Sequence, residues 1–479
     1  MNNWPFKKKS SSYNWDTAKQ DTDPWAFKKP PSLHNWDTAK QCTDPWAFKK
    51  VPSSYNWDTI KQNTDPWFFE KQGIKLGYIN NPYWQESAEF PDVHNPCGYW
   101  HKGDPGYTPY VPPPPPKSNI YSAGHEYYQS LIRDPEICHY AFMQIDDPGG
   151  FLVSAIGAPV SYGGKSLHIK EDHTLWGIGY NGDGSLGTGA PDTLTTLTQI
   201  GSDNDWADVK MLYLGDHSIA LKMDGTIWTT GTNDLGQLGH GDTEKRYSFT
   251  KVGTDSNWVY IEAGQRCCFA INEDGLLYSW GDGGGGQLGH GYQITYYEPK
   301  LVEGLDQWEL ISSNSYTTIG IRNNGQLYST GYNNCGQLCL NIPTPWAPGS
   351  IERTTFTHCM IGDTWKSVKI GYLYTILVKE DNSLWSVGYN SHGQLGLGDT
   401  DIHIYVTEVN DGNWLKITAG HSHVLCIDKY NNLYATGRND CGQLGLGDTN
   451  DRHVLTKVED TGWNLVAGGA YFSFAGKIA

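Results

Sequence analysis

The sequence predicts an all-β protein whose main domain is a seven-bladed β-propeller, with six blades as the alternative. From about Ile120 onward, short apolar stretches alternate with glycine-rich turns, as expected for hairpins of short strands. A unit of about 50 residues also recurs there, with room for three or four strands. Because such a small sheet cannot bury both of its faces alone, the units should stack radially as blades.

The most regular part of each unit is a strand, a glycine and a Gln-Leu turn, as in "TIWTTGTNDLGQLGHGD" from Thr226. The motif glycines and glutamines are Gly231 and Gln237, Gly281 and Gln287, Gly331 and Gln337, Gly388 and Gln394, and Gly437 and Gln443. A tryptophan precedes the glycine by 23 residues in four units and by 25 in one. These tryptophans are Trp206, Trp258, Trp308, Trp365 and Trp414, and Trp463 begins a last unit.

The last unit ends before its blade is complete. Residues from Gly462 onward supply Trp463 and two strands, and then the sequence stops. A closed ring needs the missing strands from the N-terminal side. We expect the segment from His139 to Gly157 to supply them as a degenerate pair, so that both ends of the propeller close one blade.

The phased tryptophan, the "GxNxxGQLG" turn and the following "GD" resemble the regulator of chromosome condensation family of seven-bladed propellers. The resemblance covers roughly residues 160–479. It implies roles such as nucleotide exchange on a small GTPase, nucleosome docking, ultraviolet sensing or β-lactamase inhibition. Fold alone cannot choose among these roles, and none of them transfers residue by residue.

Residues 1–72 form three and a half copies of a 21-residue unit, in which "NWDTAKQ" starts at Asn14 and Asn35. Each unit is too short to fold alone, and its aromatic side chains are unfavourable in water. We therefore expect a partner-bound arm, followed by a Pro/Tyr/Gly-rich linker at 73–119 and the propeller at 120–479. The predicted partner-binding residues are Trp4, Phe6, Trp15, Trp25, Phe27, Trp36, Trp46, Phe48, Trp57, Trp67 and Phe69.

Two patterns suggest ligand sites but are better explained by structure. Gly281, Gly283 and Gly286 satisfy the dinucleotide pattern G-x-G-x-x-G, yet no helix is predicted after them, and other units repeat the slot. Asp203, Asp205 and Asp208 could gather around calcium, but no closing bidentate glutamate follows. We expect turn glycines and solvated carboxylates, with no metal and no cofactor.

No catalytic set is evident, so we expect a protein that is not an enzyme. His217 and His423 each stand before an apolar strand, but we align other residue types at the matching places: Gln265 or Arg266, Tyr316, and Leu373 or Tyr374. The ten cysteines show no zinc spacing. We expect structural thiols, with disulfides as the alternative, and the enzyme alternative stays open because distant loops can assemble a site.

The charge is unevenly distributed, which bears on partners. The sequence carries a net charge of −17, yet residues 1–75 hold 12 Lys against 8 Asp and Glu, which leaves about −21 for the remainder. A body this acidic repels phosphate backbones, so we expect no nucleic-acid partner. No apolar stretch is long enough to span a bilayer, and the N-terminus lacks a signal-peptide core, so we expect no membrane insertion.

Identical units at a fixed step imply evenly spaced receptors, as on a symmetric assembly. The sequence-based interpretation is therefore a structural or attachment protein of a virus particle, such as a tailed phage. Its arm would bind symmetric capsid, neck or tail subunits, and its propeller would meet a host-surface glycan or protein. The alternatives are a cellular interaction or regulatory propeller (exchange factor, inhibitor or scaffold) and an extracellular fibre subunit. The expected location is the virion, with cytoplasmic or extracellular as alternatives.

Overall fold

The computed structural model describes residues 118–125, 138–144, 151–157, 164–212, 215–341, 352–359, 361–362, 364–410 and 412–478. Within these ranges, 28 strands form seven four-stranded sheets. The predicted all-β, seven-bladed propeller is confirmed, and the six-bladed alternative is wrong. The predicted arm and nearly all of the predicted linker lie outside the described residues.

Each blade has four antiparallel strands. Blade 1 comprises β3 (Phe151–Gly157), β4 (Lys165–Lys170), β5 (Leu175–Tyr180) and β6 (Thr193–Gln199). Blade 2 comprises β7 (Trp206–Lys210), β8 (His217–Lys222), β9 (Ile227–Gly231) and β10 (Arg246–Lys251). Blade 3 comprises β11 (Trp258–Ala263), β12 (Cys267–Asn272), β13 (Leu277–Gly281) and β14 (Tyr296–Leu301). Blade 4 comprises β15 (Trp308–Ser313), β16 (Thr317–Arg322), β17 (Leu327–Gly331) and β18 (Arg353–His358). Blade 5 comprises β19 (Trp365–Ile370), β20 (Tyr374–Lys379), β21 (Leu384–Gly388) and β22 (His403–Asn410). Blade 6 comprises β23 (Trp414–Ala419), β24 (His423–Asp428), β25 (Leu433–Gly437) and β26 (Arg452–Lys457).

Blade 7 is built from both ends of the propeller, as expected. It comprises β27 (Trp463–Gly468) and β28 (Phe472–Ile478), followed outward by β1 (Ser118–His125) and β2 (Cys138–Gln144). β1 pairs with β28 from Ser118 opposite Ile478 to Gly124 opposite Phe472. The predicted closing pair is wrong in part, because β2 is the outer strand of blade 7 whereas β3 is the first strand of blade 1.

The first strand of every blade surrounds a central channel. Each of these inner strands contacts the inner strand of the next blade, and β27 contacts β3 to complete the ring. Because strand direction alternates, first-to-second and third-to-fourth connections share one end of the propeller, which we call the loop face. Second-to-third hairpins and blade-to-blade connections share the other end, the hairpin face.

An aromatic side chain at the start of each inner strand packs in the core between its blade and the preceding blade. Trp258 is buried and lies edge-on to Tyr278 of the third strand, with ring centroids 4.9 Å apart. Such pairs add to the free energy gained by burying the rings. The predicted tryptophans Trp206, Trp308, Trp365, Trp414 and Trp463 are buried at the same place, and Phe151 takes this place in blade 1.

Candidate functional site

The motif glycines let the second strand of each blade approach the third closely at the loop face. A Cβ on Gly331 would lie 2.0 Å from the carbonyl oxygen of Tyr316, and its φ is 101°, which favours glycine. The other predicted motif glycines have φ values of 112° at Gly231, 94° at Gly281, 116° at Gly388 and 104° at Gly437. Gly179 and Gly124, which sequence analysis did not include, have φ values of 105° and 116°.

The motif glutamines hold the third-to-fourth connections and tie them to the next blade. The side-chain oxygen of Gln337 accepts a hydrogen bond of 2.8 Å from the amide of Cys335, and its backbone carbonyl accepts one of 2.8 Å from Thr375 in blade 5. The equivalent turn bonds are made by Gln237, Gln287, Gln394 and Gln443, at 2.8 to 3.0 Å. All five glutamines are buried.

The residue opposite each motif glycine begins the second strand and is buried. The sequence alignment at this position is wrong for two blades, because the register places Cys267 opposite Gly281 and Thr317 opposite Gly331. The seven residues at this position are Lys165, His217, Cys267, Thr317, Tyr374, His423 and Phe472.

The two histidines of this group join neighbouring blades instead of facing a substrate. His217 Nε2 lies 3.2 Å from the Cys268 sulfur of blade 3, and His423 Nε2 lies 2.9 Å from the Ser473 hydroxyl of blade 7. Burial lowers the pKa of His217 to about 4 and that of His423 to about 3, so both are neutral at pH 7. Burial also raises the pKa of the Cys267 thiol to about 12, so it is protonated there.

The acidic cluster near the start of β7 forms ion pairs. Asp203 and Asp205 lie 2.7 and 2.9 Å from Lys222 Nζ, and Asp208 lies 2.8 Å from Lys210 Nζ. Among the described residues, no group of three or more His, Cys, Asp or Glu could hold a metal ion. These contacts account for the three carboxylates without a bound cation.

The G-x-G-x-x-G segment follows β13 as part of a blade turn. A Cβ on Gly283 would lie 2.0 Å from the Ile294 carbonyl oxygen, and Gly286 has a φ of 76°. The next described element is the strand β14, so the dipole and free amides of a helix N-terminus are not provided at this place. Gly283 and Gly286 therefore allow this turn to pack closely against neighbouring backbone.

The first-to-second connections of blades 4 to 7 are hydrogen-bonded in succession around the channel mouth of the loop face. Asn314 Nδ2 donates to the Gly371 carbonyl, and the Tyr372 amide donates to the His421 carbonyl at 3.0 Å. The His421 amide then donates to the Gly469 carbonyl at 3.1 Å. Four loops from four blades therefore form one continuous, mutually supported surface.

Tyrosine, histidine and arginine side chains cover this surface, which we call the loop-face crescent. Tyr316 and Tyr372 expose 40% and 39% of their surface, and Tyr372 stacks on His421 with ring centroids 4.6 Å apart. The Arg438 guanidinium lies 5.0 Å from the centre of the Tyr471 ring. The crescent consists of Tyr316, Tyr332, Tyr372, His421, Arg438 and Tyr471.

The crescent was not predicted from the sequence, apart from Tyr316, which was aligned only with the two histidines. The crescent residues differ in type and shift by one position between blades, so they do not repeat as the glycines and glutamines do. A usable signal existed, because Tyr316, Tyr372, His421 and Tyr471 all stand one or two residues before a second strand.

The repeats match a family model described as "Regulator of chromosome condensation (RCC1) repeat" at residues 224–271, 274–319, 381–427 and 430–475. A second model with the same description matches residues 308–337. The propeller is RCC1-like. The predicted resemblance is thereby confirmed, and each match of the first model joins the outer half of one blade to the inner half of the next.

Curated relatives share short stretches of this RCC1-like sequence. The human E3 ubiquitin-protein ligase HERC2 is 32% identical over 111 residues, which are 23% of this chain and 2% of the relative. The Danio rerio RCC2 homologue is 36% identical over 77 residues, 16% of each chain. The chain therefore spans only a small part of these relatives, and their whole-protein activities do not follow from the match.

A solved structure shares the fold of the RCC1-like propeller. Prp20p from Saccharomyces cerevisiae superimposes with a TM-score of 0.65 and 20% identity, covering 76% of this chain and 92% of that chain. The structure of Prp20p was described together with its binding properties to Gsp1p and histones. At this identity the likeness shows the fold alone.

The prediction of a virus-particle structural protein is wrong. The repeats match those of cellular proteins, HERC2 and an RCC2 homologue, and the fold is that of Prp20p. The interpretation as a viral protein depended on an analogy between propellers. The match to RCC1 repeats now gives a direct sequence relationship in place of that analogy. The predicted capsid, neck or tail partner loses its support with it. The predicted anchors of the arm, from Trp4 to Phe69, lie outside the described residues.

Proposed function

We propose that this protein is a cellular interaction or regulatory propeller that binds a folded partner protein at the loop-face crescent. The proposal depends mainly on one observation: four hydrogen-bonded loops present tyrosine and histidine side chains side by side at one channel mouth, where Arg438 of a third-to-fourth connection packs on Tyr471. Tyrosine and arginine are enriched among the residues that dominate binding energy at protein interfaces.

The crescent is suited to binding because its loops are already ordered. The backbone bonds from Tyr372 to His421 and from His421 to Gly469 fix the loops relative to each other. A partner would therefore lose little conformational entropy when it orders this surface. Stacking of Tyr372 on His421 also restrains both side chains before binding.

We further propose that the protein acts by binding and not by catalysis, in the cytoplasm. The histidines at the channel mouth are held neutral by burial, with the pKa of His421 lowered to about 4 by burial and by Arg438. The seven cysteines from Cys267 to Cys441 are free thiols, which suits a reducing compartment. No helix of the described residues is long and apolar enough to cross a membrane.

The proposal is tested by co-purification with a matched control. The triple variant Tyr316→Ala, Tyr372→Ala and Arg438→Ala should lose, at least tenfold, a partner that co-purifies stoichiometrically with the wild type. Tyr430→Ala on the hairpin face, where the side chain is 70% exposed, should retain it. Equal recovery of every co-purifying protein by the triple variant and the wild type would refute the crescent as the binding site.

A further inference from the structure

Every inner strand carries a β-bulge directly after its first aromatic residue. In blade 3, Trp258 is opposite Asn272 and Tyr260 is opposite Ile271, so Val259 has no partner across the ladder. A bulge turns the unpaired side chain away from its regular direction. The same irregularity occurs in all seven blades, at Leu152, Ala207, Val259, Glu309, Lys366, Leu415 and Asn464.

These seven residues, which we call the bulge ring, surround the channel mouth on the hairpin face. The inner strands begin at this face, and each bulge is the second residue of its strand. Val259 exposes 54% of its surface and Leu415 exposes 38%, and Ala207 is also exposed. In ring order from blade 6 to blade 3 the residues are Leu415, Asn464, Leu152, Ala207 and Val259, an arc that is apolar except for one asparagine.

Carboxylates without a basic partner stand around this apolar arc. Other acids of the hairpin face are neutralised, such as Asp306, which lies 2.9 Å from Arg322. Glu309 of the ring itself has its pKa raised by burial and by the nearby Glu380, a like charge. Exposed carboxylates of the hairpin face for which the described residues show no ion pair include Asp255, Glu273, Asp274, Glu303, Glu380 and Glu459.

Two basic side chains on this face are held by aromatic rings or carboxylates. Lys222 lies 4.8 Å from the Trp206 ring and 4.7 Å from the Trp228 ring, in addition to its ion pairs with aspartates. Lys379 lies 3.7 Å from the Trp385 ring. The hairpin face thus combines an apolar centre with unpaired carboxylates at its rim, which differs from the aromatic crescent on the opposite face.

We propose that the bulge ring docks a lysine- and arginine-rich segment of a partner polypeptide, which inserts one aliphatic or aromatic side chain into the channel mouth. The apolar arc, with Val259 and Leu415 at its ends, supplies the surface against which that side chain is buried. A buried anchor of this kind dominates the binding energy of most interfaces. The carboxylates that form no ion pair attract the lysine and arginine residues on either side of the inserted side chain and speed association. This site is independent of the crescent and uses the other end of the channel.

The proposal can be tested with a fluorescent 12-residue peptide of alternating Lys and Arg with one central Leu, titrated against the full chain. Two comparison peptides carry Ala in place of Leu, or Glu in place of every basic residue. The variants are Val259→Ser with Leu415→Ser, and Glu273→Lys with Asp274→Lys. The control is Val454→Ser with Ile402→Ser, whose side chains are 54% and 37% exposed outside the ring.

We expect salt-sensitive binding of the Leu peptide that weakens about tenfold or more in both variants and stays unchanged in the control. The Ala peptide should bind about tenfold more weakly than the Leu peptide, and the Glu peptide should not bind. Circular dichroism should show that each variant retains its strands. Equal binding of the Leu and Ala peptides, or equal loss in the control variant, would overturn the proposed anchor, and no binding by the wild type would overturn the site.

Discussion

Tyr121 of β1 packs edge-on against Trp463 of β27, with ring centroids 5.4 Å apart and ring planes at 74°. Phe142 of β2 packs against the same indole at 5.3 Å. Two strands from the N-terminal side thereby complete the core between blade 6 and the blade begun by the C-terminal strands. The ring is closed by side-chain packing as well as by the β1–β28 ladder.

Deleting residues 1–144 should abolish cooperative folding of the propeller. The deletion removes β1 and β2, leaves the edge of β28 unpaired and exposes Trp463. We expect aggregation in size-exclusion chromatography and a broad, low-temperature transition by circular dichroism. The matched deletion of residues 1–117 keeps both strands and should unfold cooperatively like the full chain, so equal melting of the two truncated chains would contradict this closure.

Replacing Gly331 by alanine should destabilise blade 4 through both strain and a clash. The added Cβ would lie 2.0 Å from the Tyr316 carbonyl oxygen at a φ of 101°. We expect a loss of roughly 2–4 kcal/mol in the free energy of unfolding, measured by urea titration.

The control is Gly304→Ala, which has a φ of 88° but nothing within 4 Å of the new Cβ. It should show the backbone strain alone, about 1 kcal/mol. If both alanine variants lost the same stability, the close approach of strands at the motif glycine would not be what the motif provides.

Stability should fall as the pH drops below the pKa of an unfolded histidine. Burial lowers the pKa of His423 to about 3, so between about pH 6.5 and 3 the unfolded chain binds a proton that the folded chain does not. The stabilising effect of neutral His423 is complete above about pH 6.5 and shrinks as the pH falls. Its loss is roughly 2 kcal/mol at pH 5.

Urea titrations at pH 7.5 and 5.0 of the wild type and His423→Gln measure this effect. The variant should be less stable at pH 7.5 but should lose less stability on going to pH 5.0. The exposed His453→Gln should lose as much as the wild type does. An identical pH dependence in His423→Gln and the wild type would show that this histidine is protonated in the folded state.

The blades were predictable because their packing repeats. Gly331 and Gln337 occupy positions where backbone geometry and a buried turn bond leave few alternatives, so the same types recur in five blades. The extra spacing between Trp206 and Gly231 lies in the connection 211–216, which is longer than 264–266 in the next blade. The repeat length and the glycine and glutamine motif were therefore enough to predict the propeller fold.

The closing strand was missed although its signal is in the sequence. "NIYSAG", ending at Gly124, matches "QLYSTG", ending at Gly331, and places Tyr121 where other blades have Tyr328 or Trp385. No Gln-Leu turn follows Gly124, so the complete motif is not present at this strand. The start of blade 1 was missed similarly, because Phe151 replaces the expected tryptophan.

The crescent and the bulge ring could not be predicted from repetition. Tyr372 and His421 lie in loops whose residues vary because each blade meets different neighbours there. Val259 and Leu415 occupy equivalent bulges, yet blades 4 and 5 place Glu309 and Lys366 at that position. Surfaces that bind partners depend on which residues differ between repeats, and that information appears only once the register is known.

The most direct test of the protein-binding proposal is site-specific photo-cross-linking in cells of the native source. A photoreactive phenylalanine analogue replaces Tyr372 in the crescent or, as the control, Tyr430 on the hairpin face, which is 70% exposed. We predict one discrete cross-linked protein at position 372 that disappears when Arg438→Ala is added and is not formed from position 430. Absence of a discrete product at position 372, or the same product from both positions, would contradict the crescent as the partner-binding site.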